Sequence, residues 1–321
     1  MCQQLFICCK PLNLLLRVDV FIMFPRSFDY FAPKNLSEAL VLLQDPNSNV
    51  KVLAGGQSLI PALKTRISPL ISSLSSVLDI TRIKDLDYIR KENQIYKIGA
   101  LTTVGTLEND LEISTSLPIL HDASSEIADP LVRNLGTVGG NLCHGDPVND
   151  LPAPMIALNA SVVLCSLADE RKINVADLYV SPFNTTVRPN EILTEIQIPF
   201  QESRCGNAYR KVKKGSGGFT IAGVAANLSL EDDNTVSVCR LALTGVGPRP
   251  LRPLKAEEAL IGKRLKKDAL AGVSKLAIEV SQPPSDLYAS AEYRRKILGI
   301  LVKDALECAH KRAAMGNHEK S

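Results

Sequence analysis

Apolar and polar positions first fall into a clear period at Asn35–Gln44, NLSEALVLLQ. Leu36, Ala39, Leu40 and Leu43 recur at helical spacing behind Asn35, whose side chain can cap the first turn, so a short amphipathic helix is predicted. NVKVLAGG then reads as a β-rich run broken by Gly55-Gly56. SLIPALKTR follows as a helical turn with Pro61 near its start, where proline is tolerated. SSVLDITRI and QIYKIGALTTVGTLE read as strands, with β-branched residues and turn punctuation. LPILHDASSEIA reads as a helix and VRNLGTVGGNLCHGDPVNDLP, rich in Gly, Asn and Asp, as a long loop. A short helix at DLPAPMIALNA and strands at ASVVLCSL and EILTEIQIPF complete this half.

Past Pro199 the pattern changes. NAYRKVKKGSGGFTIAGVAANLSL and TVSVCRLALTGVG are predicted strands of a second sheet. Helices follow at LKAEEALIG, KKDALAGVSKLAIEV and SAEYRRKILGILVKDALECAHKRAA. This places a domain boundary near residue 200, between an α+β domain over 23–200 and a sheet-plus-helices domain over 201–313, with a frayed tail over 314–321. No repeat or low-complexity tract interrupts the chain.

Residues 1–22 are apolar, but they carry no charge before Lys10 and are interrupted by Arg17 and Asp19. No small-residue cleavage site follows, and the run is too short to span a bilayer. The character changes at Met23, so Met23 is expected to be the natural start and 1–22 a non-native or disordered extension.

Composition narrows the function classes. A chain of 321 residues with 45% hydrophobic content can bury a sizeable core. A net charge of +3, no basic stripe, no Trp and few aromatics leave little basis for binding nucleic acid or a membrane surface. The eight cysteines form no C-x-x-C pair and no zinc or iron–sulfur spacing, and read as reduced thiols of a cytoplasmic protein.

Candidate chemistry centres on two glycine segments, AGGQS at 54–58 and TVGGN at 137–141. Glycine lets a backbone approach a ligand closely, and successive N–H groups in a turn can converge on an anion. A hydroxyl at Ser58 or Thr137 can add a donor, so the two segments could cradle a diphosphate from both sides. Neither fits the P-loop or the G-x-G-x-x-G fingerprint. Cys143 and His144 stand beside the second segment, but without further ligands or a positioned partner they identify neither a metal site nor a nucleophile. His121 and His310 are isolated.

VLAGGQSLIPALKTR, IGALTTVGTLE, DPLVRNLGTVGGNLCHGDPVNDLPAPMIALNA and YRKV…GGFTIAGVAANL, in this order, resemble the FAD-binding medium subunit of the molybdenum hydroxylases. That family includes the medium subunit of carbon monoxide dehydrogenase and the flavin portion of xanthine dehydrogenase, and the likeness runs from about Met23 to about Lys311. It implies a two-part FAD-binding PCMH-type (vanillyl-alcohol-oxidase-like) domain, then a CO-dehydrogenase-flavoprotein C-terminal domain.

The resemblance also assigns residues. Leu53, Ala54, Gly55, Gly56, Gln57, Ser58, Leu59 and Ile60 would wrap the FAD diphosphate, and Thr137, Val138, Gly139, Gly140 and Asn141 would do so from the second side. Asp150 matches the acid beside the flavin, with an N-cap for the following helix as its alternative. Ile127 matches a flavin-lining position or is a core residue. Arg210 or Lys211 matches a cation near the isoalloxazine, or lies on a solvated face. Leu193 matches a backbone contact. No residue of this chain is implied as catalytic or as a metal ligand.

The implied activity is electron transfer through a non-covalent FAD. Molybdopterin and iron–sulfur clusters would reside only in partners, a molybdopterin-binding large subunit and a two-cluster iron–sulfur small subunit, in a dimer of heterotrimers. A self-contained FAD oxidase or dehydrogenase and a catalytically silent assembly subunit are the rivals. Two departures stand out. Gly218 in KKGSGGFTIAG replaces an acid common in the family, which leaves the electron acceptor open. Tyr288 and Ala289 replace the usual pair in DLYASAEYRR, which leaves subunit contacts open.

Overall fold

A computed structural model describes residues 25, 27–44, 49–65, 74–215 and 218–315. The expectation for residues 1–22 lies outside these. In chain order the strands are β1 Asp29–Phe31, β2 Val50–Leu53, β3 Ser76–Asp79, β4 Ile89–Glu92, β5 Ile95–Gly99, β6 Ser161–Cys165, β7 Glu170–Asn174, β8 Tyr179–Ser181, β9 Asn184–Thr185, β10 Ile192–Pro199, β11 Cys205–Lys213, β12 Thr220–Leu230 and β13 Val236–Thr244. The helices are α1 Leu36–Leu42, α2 Leu59–Thr65, α3 Val104–Asn109, α4 Leu111–Ser116, α5 Pro118–Ser125, α6 Pro130–Arg133, α7 Val138–His144, α8 Pro152–Ala157, α9 Leu254–Glu258, α10 Lys267–Glu279 and α11 Ala291–Met315.

Helix α1 starts where its cap predicts. Asn35 Oδ1 accepts from the Glu38 N–H at 2.9 Å, and Glu38 Oε2 reaches back to the Lys34 N–H at 2.9 Å. It covers a small parallel sheet of order β1-β3-β2, with Ala39, Leu40, Leu43, Leu78 and Ile80 as its core. A second, antiparallel sheet of order β4-β5-β10-β6-β7 packs its inner face on α3, α5, α7 and α8 around Ile98, Leu120, Met155 and Ile196.

The sheet β11-β12-β13 is buried on both faces, and β12 along its whole length. Ala222, Val224, Ala226 and Leu228 meet α10 and α11, whereas Ala225, Tyr209 and Ala242 join the core of the first domain. Double burial explains why TIAGVAANLSL is rich in small and apolar residues rather than strictly alternating.

Two predicted elements differ. The strand read through QIYKIGALTTVGTLE ends at Gly99. Thr103 then accepts from the Thr106 N–H and caps α3, so a local side-chain cap overrides the β-branched composition. The long loop read at 132–152 contains the end of α6 and the whole of α7, each opened by a capping oxygen, from Asp129 and Thr137. At the other end, α11 continues through Met315, beyond the expected start of the tail.

Candidate functional site

Leu53 ends β2 opposite Asp79 of β3, and the chain then turns out of the carboxyl edge of the parallel sheet, the edge at which open α/β sheets receive ligands. Gly56 makes the turn at φ +73°, where a Cβ is disfavoured. The Ile60 N–H returns to Gly56 O at 3.0 Å and starts α2, while Gln57 folds back on Gly55 O. Among the described residues, no acceptor faces the N–H groups of Gly55, Gly56, Gln57 or Ser58. A half-exposed turn with unpaired donors is a ready anion site.

The second glycine segment is built differently. It is the first turn of α7, and four of its five amides, those of Val138 to Asn141, are already taken. Val138 donates to Thr102 O and Gly139 to Ala100 O, both at 2.9 Å; Gly140 donates to Thr137 Oγ1 at 3.2 Å, and Asn141 to Thr137 O. The amides of Val138 to Asn141 are thus not spare donors, whereas the Thr137 N–H has no acceptor among the described residues. The glycines here serve close packing of the chain on itself. A Cβ on Gly139 would lie 2.7 Å from Ala100 Cβ, and one on Gly55 would lie 2.0 Å from Leu135 O. A Cβ added to the exposed Gly140 would lie 3.7 Å from Ala54 Cβ, so the two segments approach each other. What α7 offers a ligand is the hydroxyl hydrogen of Thr137, the open Gly140 surface and the side chain of Asn141. Asn141 Oδ1 is buried without a hydrogen-bond partner, a state that costs about 1–3 kcal/mol unless a ligand or water satisfies it.

Asp150 is neither free nor a cap; Leu151 occupies the N-cap position of α8 and offers no side-chain bond. The buried Asp150 carboxylate instead accepts from Tyr209 Oη and Thr220 Oγ1 on Oδ1, both at 2.7 Å, and from Lys211 Nζ on Oδ2 at 2.8 Å. Lys211 is 1% exposed at its side chain and also donates to Glu126 O at 2.8 Å. Burial and the adjacent carboxylate push the Tyr209 hydroxyl well above its ordinary range. Tyr209 and Thr220 were not among the residues singled out from sequence; the alternation of β11 is the signal that pairs Tyr209 with Lys211 on one face.

The same alternation separates Arg210 from Lys211. Arg210 points to the other side, toward α11, where it meets Asp304, Asp122, and Cys308 Sγ at 2.9 Å. Of the two, Lys211 alone reaches Asp150 and Glu126, whereas Arg210 meets the first domain only at Asp122, so Lys211 is the better placed candidate. Ile127 lies half-buried beside the first-domain core, two residues before Asp129, the cap of α6. Leu193 is a core residue of β10 at the bulge facing β6, and Ala100 N donates to the neighbouring Thr194 O. Cys143 is a packed thiol that burial pushes up to about 12, and His144, lowered by burial, stacks edge-on against Phe183. Among the described residues no group of three or more His, Cys, Asp or Glu could hold a metal, and no helix is long and apolar enough to cross a membrane. Gly218 is held by its own turn, since a Cβ there would lie 1.8 Å from Lys214 O.

Residues 26–201 match the family described as FAD binding domain in molybdopterin dehydrogenase, and residues 207–309 match CO dehydrogenase flavoprotein C-terminal domain. The chain is 38% identical to the carbon monoxide dehydrogenase medium chain of Hydrogenophaga pseudoflava over 91% of its own length and 100% of that protein. It is 35% identical to the glyceraldehyde dehydrogenase medium chain of Sulfolobus acidocaldarius, over 89% and 99%. A solved carbon monoxide dehydrogenase from Hydrogenophaga pseudoflava superposes with a TM-score of 0.86 at 38% identity, covering 90% of this chain and 99% of that one. The chain belongs to the FAD-binding flavoprotein subunits of the molybdenum-dependent dehydrogenases, an oxidoreductase family.

Proposed function

We propose that this chain is the electron-transfer subunit of a molybdenum hydroxylase complex, taking electrons from iron–sulfur clusters of a partner and passing them to a terminal acceptor. The observation that carries the reading is the presence of unsatisfied groups on two segments that approach each other, the unpaired amides of Gly55 to Ser58 and the orphaned oxygen of Asn141, next to Gly140. These fit a diphosphate and a neighbouring hydroxyl or amide. FAD, when bound, supplies one- and two-electron exchange. The amides of residues 55–58 would hold its diphosphate, Asn141 would donate and accept beside it, and the buried Lys211–Asp150 pair would brace the strand and turn next to it. The flavin is held non-covalently.

A molybdopterin-binding large subunit would perform the oxidation of an aldehyde, carbon monoxide or a heteroaromatic. A two-cluster small subunit would carry the electrons, in a dimer of heterotrimers. The medium-chain names of the relatives support membership of such a complex. The five described cysteines are free, which supports a reducing compartment such as the cytoplasm. The domain division at residue 200 follows the same reading.

The test adds candidate substrates anaerobically, first to the isolated FAD-loaded chain and then to the chain reconstituted with a molybdenum and an iron–sulfur subunit. Flavin bleaching is expected only in the complex. Bleaching of the isolated chain by an organic substrate would replace this reading with that of a free-standing oxidase, and absence of bound flavin after gel filtration would leave a silent assembly subunit.

The role given to Asn141 has its own check. Asn141→Leu should leave the cofactor-free chain as stable as before or more stable, since a buried unpaired oxygen is removed. It should weaken FAD binding by about fivefold or more. Unchanged affinity in a fluorescence titration would remove Asn141 from the site.

A further inference from the structure

Helix α6 is only four residues long, yet it joins two parts of the site. At its amino end lies the turn Glu126–Ile127–Ala128. Ala128 adopts φ +43°, a conformation a Cβ disfavours. Such a residue is strained and persists only where its surroundings over-determine it.

The surroundings here are two cations on successive carbonyls. Lys211 Nζ donates to Glu126 O at 2.8 Å, and Arg133 Nη1 donates to Ile127 O at 2.9 Å. Arg133 is itself fixed, for its Nε donates to Glu108 Oε2 of α3 at 2.7 Å and both side chains are largely buried. Lys213 adds an ion pair to the Glu126 carboxylate at 2.5 Å.

At its carboxyl end α6 runs into Leu135 and Gly136. The Gly136 N–H closes on Val132 O at 2.7 Å. Leu135 O and Gly136 Cα are the atoms that leave no room for a Cβ on Gly55, and a Cβ on Gly136 would lie 3.7 Å from the Gln57 side chain. The seat of the first glycine turn is thus one end of a short rigid rod whose other end is the strained turn.

We infer that Arg133 is a positioning residue for the cofactor site. Through Ile127 O it holds the left-handed Ala128 turn, and through α6 it fixes the Leu135–Gly136 seat on which the unpaired amides of residues 55–58 are arranged. Without Arg133 the turn relaxes, and cofactor binding must then re-impose its strain. The inference rests on the FAD reading above, although Arg133 is assigned no contact with FAD.

The experiment measures FAD affinity by fluorescence quenching for the full chain and three variants. Arg133→Met should weaken binding about tenfold. Ala128→Gly alone should stay near the parent, because glycine accepts φ > 0 freely. In the double variant Ala128→Gly should recover most of the affinity lost with Arg133. A merely structural role for Arg133 would lower folding stability in urea without a rescue of FAD affinity specific to position 128. Should Met prevent folding, Arg133→Lys reads the same loss, its single ammonium keeping Glu108 but releasing Ile127 O. Hydrogen exchange on the cofactor-free chain supplies a second readout, with faster exchange at Asn134 and Gly136 in Arg133→Met and protection restored in the double variant. Parent-like affinity in Arg133→Met, or no rescue by glycine, would overturn the inference. A parent chain that takes up no FAD would overturn this inference together with the FAD reading.

Discussion

Replacing Lys211 with Met is expected to lower folding stability by about 3–5 kcal/mol, the largest effect of any single change at the site. Its ammonium is out of water and neutralises Asp150, which is itself buried beneath the C-terminal sheet. Without it the carboxylate keeps two hydroxyl donors, Tyr209 and Thr220, but no counter-charge. The pair also ties β11 to the preceding half of the chain, because Lys211 belongs to β11 whereas Asp150 and Glu126 precede it in the first sheet-and-helix unit. Urea unfolding of the cofactor-free chain measures the loss. A second substitution, Asp150→Leu in the Lys211→Met background, should recover part of it, because the uncompensated charge is then gone. A loss below about 1 kcal/mol in the single variant would mean that water reaches the pair. FAD affinity should fall in both variants, because the turn at Glu126 loses its tether.

Gly55→Val should lose measurable FAD binding, and Gly55→Ala should weaken it by about thirtyfold or more. The added Cβ would stand 2.0 Å from Leu135 O, a backbone atom, and both chains must move apart to admit it. Overpacking of this kind costs about 1–3 kcal/mol. Here the cost falls on the contact that sets the amides of the turn. Gly56→Ala should be milder, because the nearest obstacle is the flexible end of Ile60, although the φ of +73° adds strain. Gly140→Ala should be mildest of the three, as it meets the Thr137 hydroxyl and little else. Bound flavin per chain after gel filtration gives the order. Full occupancy in Gly55→Ala would show that the close approach to Leu135 is not needed to hold the cofactor.

Much of the architecture is legible in local signals. Asn35 with Glu38 marks α1, and the texture change after Pro199 marks the second sheet. The helical period from Ala291 onward marks α11. Local signals also misled. Gly139 and Gly140 look like a loop because glycine is a poor helix former, yet Thr137 caps a helix there and the bare Cα atoms let α7 lie against Ala100. Thr102 and Thr103 extend a β-branched run, yet one of them caps α3.

The sequence by itself determined the family, the order of the elements and the location of both glycine segments, because these rest on residue identity and on short-range backbone preference. Which segment has amides to spare was decided only in the fold. An N–H group becomes a ligand donor when no carbonyl reaches it, and Ala100 and Thr102 reach α7 from a strand end and turn nearly forty residues earlier in the chain. Tertiary structure likewise separated Arg210 from Lys211. They are adjacent cations in the chain, but β11 is covered on both faces, so strand alternation sends one to α11 and the other to Asp150. Arg133 lies within the DPLVRNLGTVGG motif, but no role of its own can be read there from sequence, since its partners are a carbonyl six residues before it and a carboxylate twenty-five before it, and only folding sets them at hydrogen-bond distance.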